Sequence, residues 1–173
     1  MRIKKFILSF VIVIVFCSIA NGAVTNPPKV IIEYLFNDAR DFHEGLAAVK
    51  SKDVWGYINN LGHYVIPPTL RIPEAGDFSE GLAFVGDHYI TTTGAQAFLT
   101  EEDNEPKMFS NGLPFSEGFA AVQIGGQWGF INLTGKFVIT PIYEKAQSFS
   151  EGLAAVKDDR GKYEPIYDLA VKR

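Results

Sequence analysis

One nine-residue phrase recurs four times along the chain. It reads FHEGLAAVK from Phe42, FSEGLAFVG from Phe78, FSEGFAAVQ from Phe115 and FSEGLAAVK from Phe149. The spacings are 36, 37 and 34 residues. A period of this length restricts the fold more than any local propensity does. Each copy is one small supersecondary unit, and its apolar faces are buried on its neighbours.

Two further phrases complete the unit. A Pro/aromatic lead-in ending in Ala precedes the run, as in PIYEKAQS (Pro141–Ser148) and YLFNDARD (Tyr34–Asp41), with a looser RIPEAGD that keeps Ala75. A Trp-Gly phrase follows it, as VWGYINNLGHYVIP (Val54–Pro67) and QWGFINLTGKFVIT (Gln127–Thr140). Four units result, at about 29–66, 67–99, 105–139 and 141–173. The first and third are complete. The second replaces Trp-Gly by HYITTTGAQAF, and the fourth keeps FSEGLAAVK but lacks the Trp-Gly hairpin. Terminal repeats are often atypical because they cap a stack. The second unit is internal, so capping does not explain its change.

The segments read as strands. GLAAVK and KFVIT are short and apolar, with small or β-branched residues bounded by Gly and Pro. WGFIN-LT-GKFVI reads as a hairpin in which Gly135 takes the positive φ that a short loop demands, with Gly62 and Gly94 at the same place. Asn59 and Asn132 precede these loops, where an amide bonds backbone two residues on. Nine prolines and 16 glycines leave no window for a long helix. The fold class expected is all-β: about four tandem β-hairpin repeats of 34–37 residues, stacked or curled into a solenoid- or barrel-like array.

The residues expected to carry this architecture are Trp55, Gly56, Gly62, Trp128, Gly129 and Gly135, with the turn glycines Gly45, Gly81, Gly118 and Gly152. Each Trp supplies a large apolar body to its unit's core, and the Gly after it lets another backbone approach the strand. The competing role for the two Trp rings is exposure and stacking on a sugar.

The chain of 173 residues opens with a leader. Arg2, Lys4 and Lys5 precede the apolar run Phe6–Phe16, and small residues follow, as in a secretory signal peptide with cleavage near Ala20–Ala23. The expected division is a signal peptide at 1–22 and a repeat domain at 23–173. An uncleaved anchor and a lipidated Cys17 are the alternatives, although Phe16 before Cys17 is unlike a lipoprotein site. The domain then holds no cysteine, and its core alone must stabilise it. With the leader gone the formal charge is −7, from 13 Lys+Arg against 20 Asp+Glu. Such a surface is a poor partner for nucleic acid, and a membrane enters only through the leader.

FSEGLAAVK, WGYINNLG, WGFINLTG and FVITPIY together resemble the bacterial WG-repeat (Trp-Gly β-repeat) family, over about Val30–Ala170. The resemblance implies an exported β-repeat module that binds or scaffolds and has no assigned activity. Its location would be secreted, periplasmic or cell envelope, and its partner a protein or envelope component. A glycan held by Trp/Tyr stacking is the other reading.

Chemistry finds little to stand on. Glu44, Glu80, Glu117 and Glu151 recur at matched positions before a turn Gly, whereas catalytic groups need individual environments. His43 replaces the FSEG serine in the first unit, which excludes a serine nucleophile common to all. His43, His63 and His88 form no ligand pair. EEDNEPK (Glu101–Lys107) lacks the spacing of a calcium loop and reads as a solvated insertion. Asn132-Leu133-Thr134 matches a glycosylation sequon, but the turn already accounts for the Asn. The expectation is no enzyme, no cofactor and no metal.

Overall fold

The computed structural model describes residues 36–100, 105 and 107–167, with the backbone of an antiparallel pair, β1 (Ile19–Ala20) and β2 (Ala23–Val24). The predicted leader, apart from that pair, and residues 101–104 and 106 of the acidic run lie outside them. Every regular element among the described residues is a strand, and no helix there is long and apolar enough to cross a membrane. The sheets are open antiparallel arrays and none closes into a barrel.

The chain divides into two compact units, Met1–Ile72 and Pro73–Arg173. The first holds a four-stranded meander of β3 (Asp38–Ala39), β4 (Leu46–Ser51), β5 (Val54–Asn59) and β6 (Tyr64–Leu70). Its cluster is Phe36, Ala47, Val49 and Ile58, with Ala39 and Phe42 packed against it.

The second unit holds three sheets. They are β7 (Leu82–Val85) with β8 (His88–Thr91); β9 (Asn111–Gly112), β10 (Phe119–Ile124), β11 (Gln127–Asn132) and β12 (Phe137–Tyr143); and β13 (Lys145–Ala146), β14 (Leu153–Lys157) and β15 (Tyr163–Tyr167). Successive side chains of a strand face opposite ways. In β10, Ala120 and Val122 therefore enter a cluster with Leu82, Tyr89, Phe109 and Phe115, while Ala121 enters another with Ala146, Phe149, Ala154 and Val156. The third repeat is thus covered on one face by the second and on the other by the fourth. Burial on both faces explains why the LAAV run is continuously apolar and built of small residues.

The third strand of a complete repeat carries a bulge. Trp55 pairs with Leu70, but Tyr57 pairs with Ile66; Trp128 pairs with Tyr143, but Phe130 pairs with Ile139. Three residues, Pro67–Thr69 or Thr140–Ile142, thus face the single Gly56 or Gly129, and each set contains proline, which cannot donate to a ladder.

Candidate functional site

The four FSEG-type turns are the strongest concentration of recurring polar residues. Each is a two-residue hairpin loop whose flanking residues exchange both backbone bonds, as His43 with Leu46 and Ser116 with Phe119 do. Glu44, Glu80, Glu117 and Glu151 sit at φ 51, 53, 56 and 54°, and Gly45, Gly81, Gly118 and Gly152 follow at 80, 81, 83 and 77°. Two successive positive φ values make a type I′ turn, whose twist suits the flanking strands. Gly is expected at the second position. Glu at the first is not, since the left-handed region costs an ordinary side chain about 1–2 kcal/mol.

The partners of the Glu and Ser side chains account for them. Gly118 donates its N–H to both Glu80 oxygens at 3.1 and 3.0 Å, and Gly152 donates to Glu117 Oε2 at 2.8 Å. Ser79 Oγ donates to the Phe115 carbonyl and Ser116 Oγ to the Phe149 carbonyl, both at 2.7 Å. The second and third turns thus use their Ser and Glu to hold the backbone of the turn that follows. The left-handed conformation aims the carboxylate along the stack.

The two tryptophans differ. Trp55 is 2% exposed, with Lys50 Nζ 5.6 Å from its ring centre. Trp128 is half-buried against the cluster around Phe130 and Phe149. The register places Lys50 opposite Trp55 and Gln123 opposite Trp128, and Gln123 turns back to donate to the Gly126 carbonyl at 3.0 Å.

The glycine after each Trp meets the bulge. A Cβ on Gly56 would lie 2.7 Å from the Ile66 carbonyl oxygen and 2.8 Å from Pro68; on Gly129 it would lie 2.5 Å from the Ile139 oxygen and 2.7 Å from Pro141 N. The bulged strand presses its backbone onto the only residue type without a side chain. This explains the incomplete units. In the second, His88 pairs with Val85, as Gly56 does with Val49. There the bulge is replaced by a long excursion: Ala97 N–H donates to the Tyr89 carbonyl, and the chain returns where Phe109 N–H donates to the Asp87 carbonyl at 2.7 Å. Position 88 therefore carries a side chain, and His88 Nδ1 lies 2.7 Å from Asp87 Oδ1.

The fourth unit does have a hairpin, contrary to the expectation from its missing Trp-Gly. β14 and β15 pair without a register break. Their loop is the Asn-x-x-Gly loop of the complete units written with Asp. Asn59 Oδ1 accepts Leu61 and His63 N–H, Asn132 Oδ1 accepts Thr134 and Lys136 N–H, and Asp158 Oδ1 accepts Arg160 and Lys162 N–H, all at 2.8–3.1 Å. Gly62, Gly135 and Gly161 close these loops at φ 80, 72 and 79°. The LAAV strand passes straight through this loop into a strand like β12, and one strand of the unit is omitted.

The shifted protonation equilibria have structural causes. The Lys162 N–H, with Arg160 bound at 2.6 Å, holds the Asp158 carboxyl below its usual range against the opposing effect of burial. A 2.7 Å bond to Glu144 holds the Lys157 ammonium above its own. Burial pushes the Tyr89 phenol up, and its hydroxyl donates to the Leu113 carbonyl at 2.7 Å. Among the described residues no three His, Cys, Asp or Glu side chains gather as a metal site.

The family profile described as WG containing repeat matches residues 28–54, 55–86, 106–128 and 128–163. The chain belongs to this family. No curated protein matches the sequence. Among solved structures, the crystal structure of the computationally designed Ika4 protein is similar at a TM-score of 0.46 and 10% identity, over 73% of this chain and 87% of that one. In this WG-repeat chain the sequence displays the turn residues plainly but not their partners. The period of the Glu was visible, whereas its bond to a Gly one repeat later is a property of stacking. Asp158 was missed as a turn residue because only Asn marked the other copies, although the spacing Asp158-x-x-Gly161 was there to be read.

Proposed function

We propose that the chain is an exported, non-catalytic β-repeat module that binds a protein of its compartment through the outer face of its last repeat. One observation carries this reading. Leu153 is 39% exposed and Ala155 is exposed, while Leu82, at the matching place two repeats earlier, is 8% exposed under the following repeat. The last face has the same chemistry as the covered ones, with Tyr163 61% exposed beside it on β15. Export rests on the basic and apolar leader, which places the module in the cell envelope or outside it. The absence of catalysis is supported by the use of Ser79, Glu80, Ser116 and Glu117 in holding turns together. The acidic balance disfavours nucleic acid.

A photo-reactive amino acid at position 153 tests the reading in living cells. A discrete protein adduct at 153, absent when the probe sits at exposed Thr140, is the expected result. Equal or no labelling at the two positions would defeat it.

A glycan reading draws support from a different place than the two Trp rings. Tyr64 and Phe137, each two residues past the loop Gly, are both 40% exposed, and Tyr163 follows Gly161 at the same offset. Aromatics recurring on a sheet edge suit sugar stacking, and Tyr163→Ala with Phe137→Ala should then abolish sedimentation with insoluble envelope glycan.

A further inference from the structure

Each internal step of the second unit follows one rule. The Ser hydroxyl of a turn donates to the Phe carbonyl of the next turn, and the Glu carboxylate accepts that turn's Gly N–H. The first strand residue after the turn lies under the next Phe: Leu82 shares a cluster with Phe115, and the Phe119 ring is 5.1 Å from that of Phe149. At the last turn the rule stops. Among the described residues, Ser150 Oγ and the Glu151 carboxylate have no partner, and Leu153 is exposed.

A partner that completes this step must offer a carbonyl, an N–H three residues later and an aromatic ring. The first turn of this same chain offers all three. Gly45 is exposed, whereas Gly118 and Gly152 are half-buried and bonded to the preceding Glu. Phe42 is half-buried, whereas Phe78, Phe115 and Phe149 are 4% exposed or less. The Phe42 carbonyl and Gly45 N–H have no partner among the described residues. The substitution of His43 for Ser does not interfere, because the receiving groups of a turn are its Phe carbonyl and Gly N–H.

We infer that the last turn, with Ser150, Glu151 and Leu153, receives Phe42 and Gly45 of a second copy of this chain, which extends the repeat stack head to tail. This inference rests on the reading of the last face as a protein-binding surface and names its occupant. The contact is heterologous: it uses two different patches, and each bound copy presents a new open end.

Sedimentation of the purified full chain over a range of concentrations tests it. The wild type should gain mass with concentration. Leu153→Glu and Glu151→Lys, both at exposed positions, should weaken association at least tenfold while circular dichroism and melting stay unchanged. Assembly through the apolar leader would ignore both substitutions and would overturn the inference. A labelled Leu153→Glu chain keeps an intact first turn, so it should bind wild-type ends and lower the mean mass of the mixture. Failure of that chain to bind an associating wild type would mean a two-fold, tail-to-tail contact and would also overturn it. A wild type that stays monomeric overturns it as well. If the probe at 153 then still captures a different protein, the broader reading survives without the inference; if it captures nothing, both fall.

Discussion

The carboxylate of Glu117 accepts the backbone N–H of Gly152 at 2.8 Å across 35 residues of sequence. Glu80 does the same for Gly118. Both acceptors sit at positive φ, a strained conformation for Glu that the type I′ turn imposes and that Glu151 also adopts, at φ 54°. The bond and the strain are therefore coupled: the backbone that strains the residue is the one that points its side chain at the next repeat.

This coupling predicts substitutions of opposite sign at equivalent positions. Glu117→Ala keeps the strain and loses the bond, and should cost about 1–2 kcal/mol, the lower range for a charge-assisted bond because the site is solvated. Glu151→Asn, at a position with no partner among the described residues, should stabilise the monomer by about 0.5–1 kcal/mol, since Asn visits the left-handed region more readily. Urea denaturation at low protein concentration measures both. Equal effects at 117 and 151 would show that the inter-turn bond contributes nothing.

The Trp-Gly pair predicts a contrast between repeats. Gly129→Ala places a Cβ 2.5 Å from the Ile139 carbonyl oxygen, which belongs to backbone and cannot swing aside. About 2–3 kcal/mol of destabilisation should follow, as for overpacking generally, and Gly56→Ala should behave alike. His88 stands at the matching place without a bulge over it, so His88→Ala should stay within about 1 kcal/mol. A large loss at position 88 would disconnect the glycine from the bulge.

How much of this was legible follows from where each cause lies. Phe42, Phe78, Phe115 and Phe149 fix the period because each repeat places the same ring before its turn, and their spacing alone preserves that signal. Gly135 was readable because positive φ is a local demand. The need for Gly at 129 was readable only as a close approach. Which backbone approaches depends on Thr140–Ile142 bulging, a consequence of pairing register. The roles of Glu80 and Glu117 were not readable at all, since their acceptor function depends on a neighbour one period away. Leu153 likewise has the same sequence context as Leu46, yet it is 39% exposed where Leu46 is 7% exposed, a difference that no residue of the shared phrase announces.

Acid should loosen the last hairpin through Asp158. Its carboxyl is held below the usual range, chiefly by the Lys162 N–H. A carboxyl lowered in the folded state contributes stability that is fully present above its unfolded value, about pH 4, and is lost as pH falls through the folded value. Asp158→Asn keeps the acceptor that Asn59 and Asn132 provide in the equivalent loops, but it removes the titration. Stability of the variant should therefore fall less steeply than wild type below about pH 4. Parallel acid-unfolding curves would show that this carboxyl is not a determinant.

The two tryptophans should separate in both stability and accessibility, although they share a motif. Trp55 at 2% exposure is a fully buried ring, and Trp55→Ala should cost about 3–5 kcal/mol, the range for a core aromatic. Trp128 is half-buried, so its truncation removes less buried area and should cost about 2–3 kcal/mol. A domain of this size has a total stability of about 5–15 kcal/mol, so the first change endangers folding and the second does not. Quenching of single-Trp chains by acrylamide, which is uncharged and therefore indifferent to a nearby ammonium, gives the independent check. With Trp55→Phe the remaining Trp128 should quench partially, whereas with Trp128→Phe the remaining Trp55 should be nearly silent. One contact differs between the two rings: Lys50 lies over Trp55, whereas Gln123, opposite Trp128, folds back onto the Gly126 carbonyl. Gln123→Lys should therefore lower the quenching of Trp128, and an unchanged quenching constant would show that the cross-strand residue does not shield the ring.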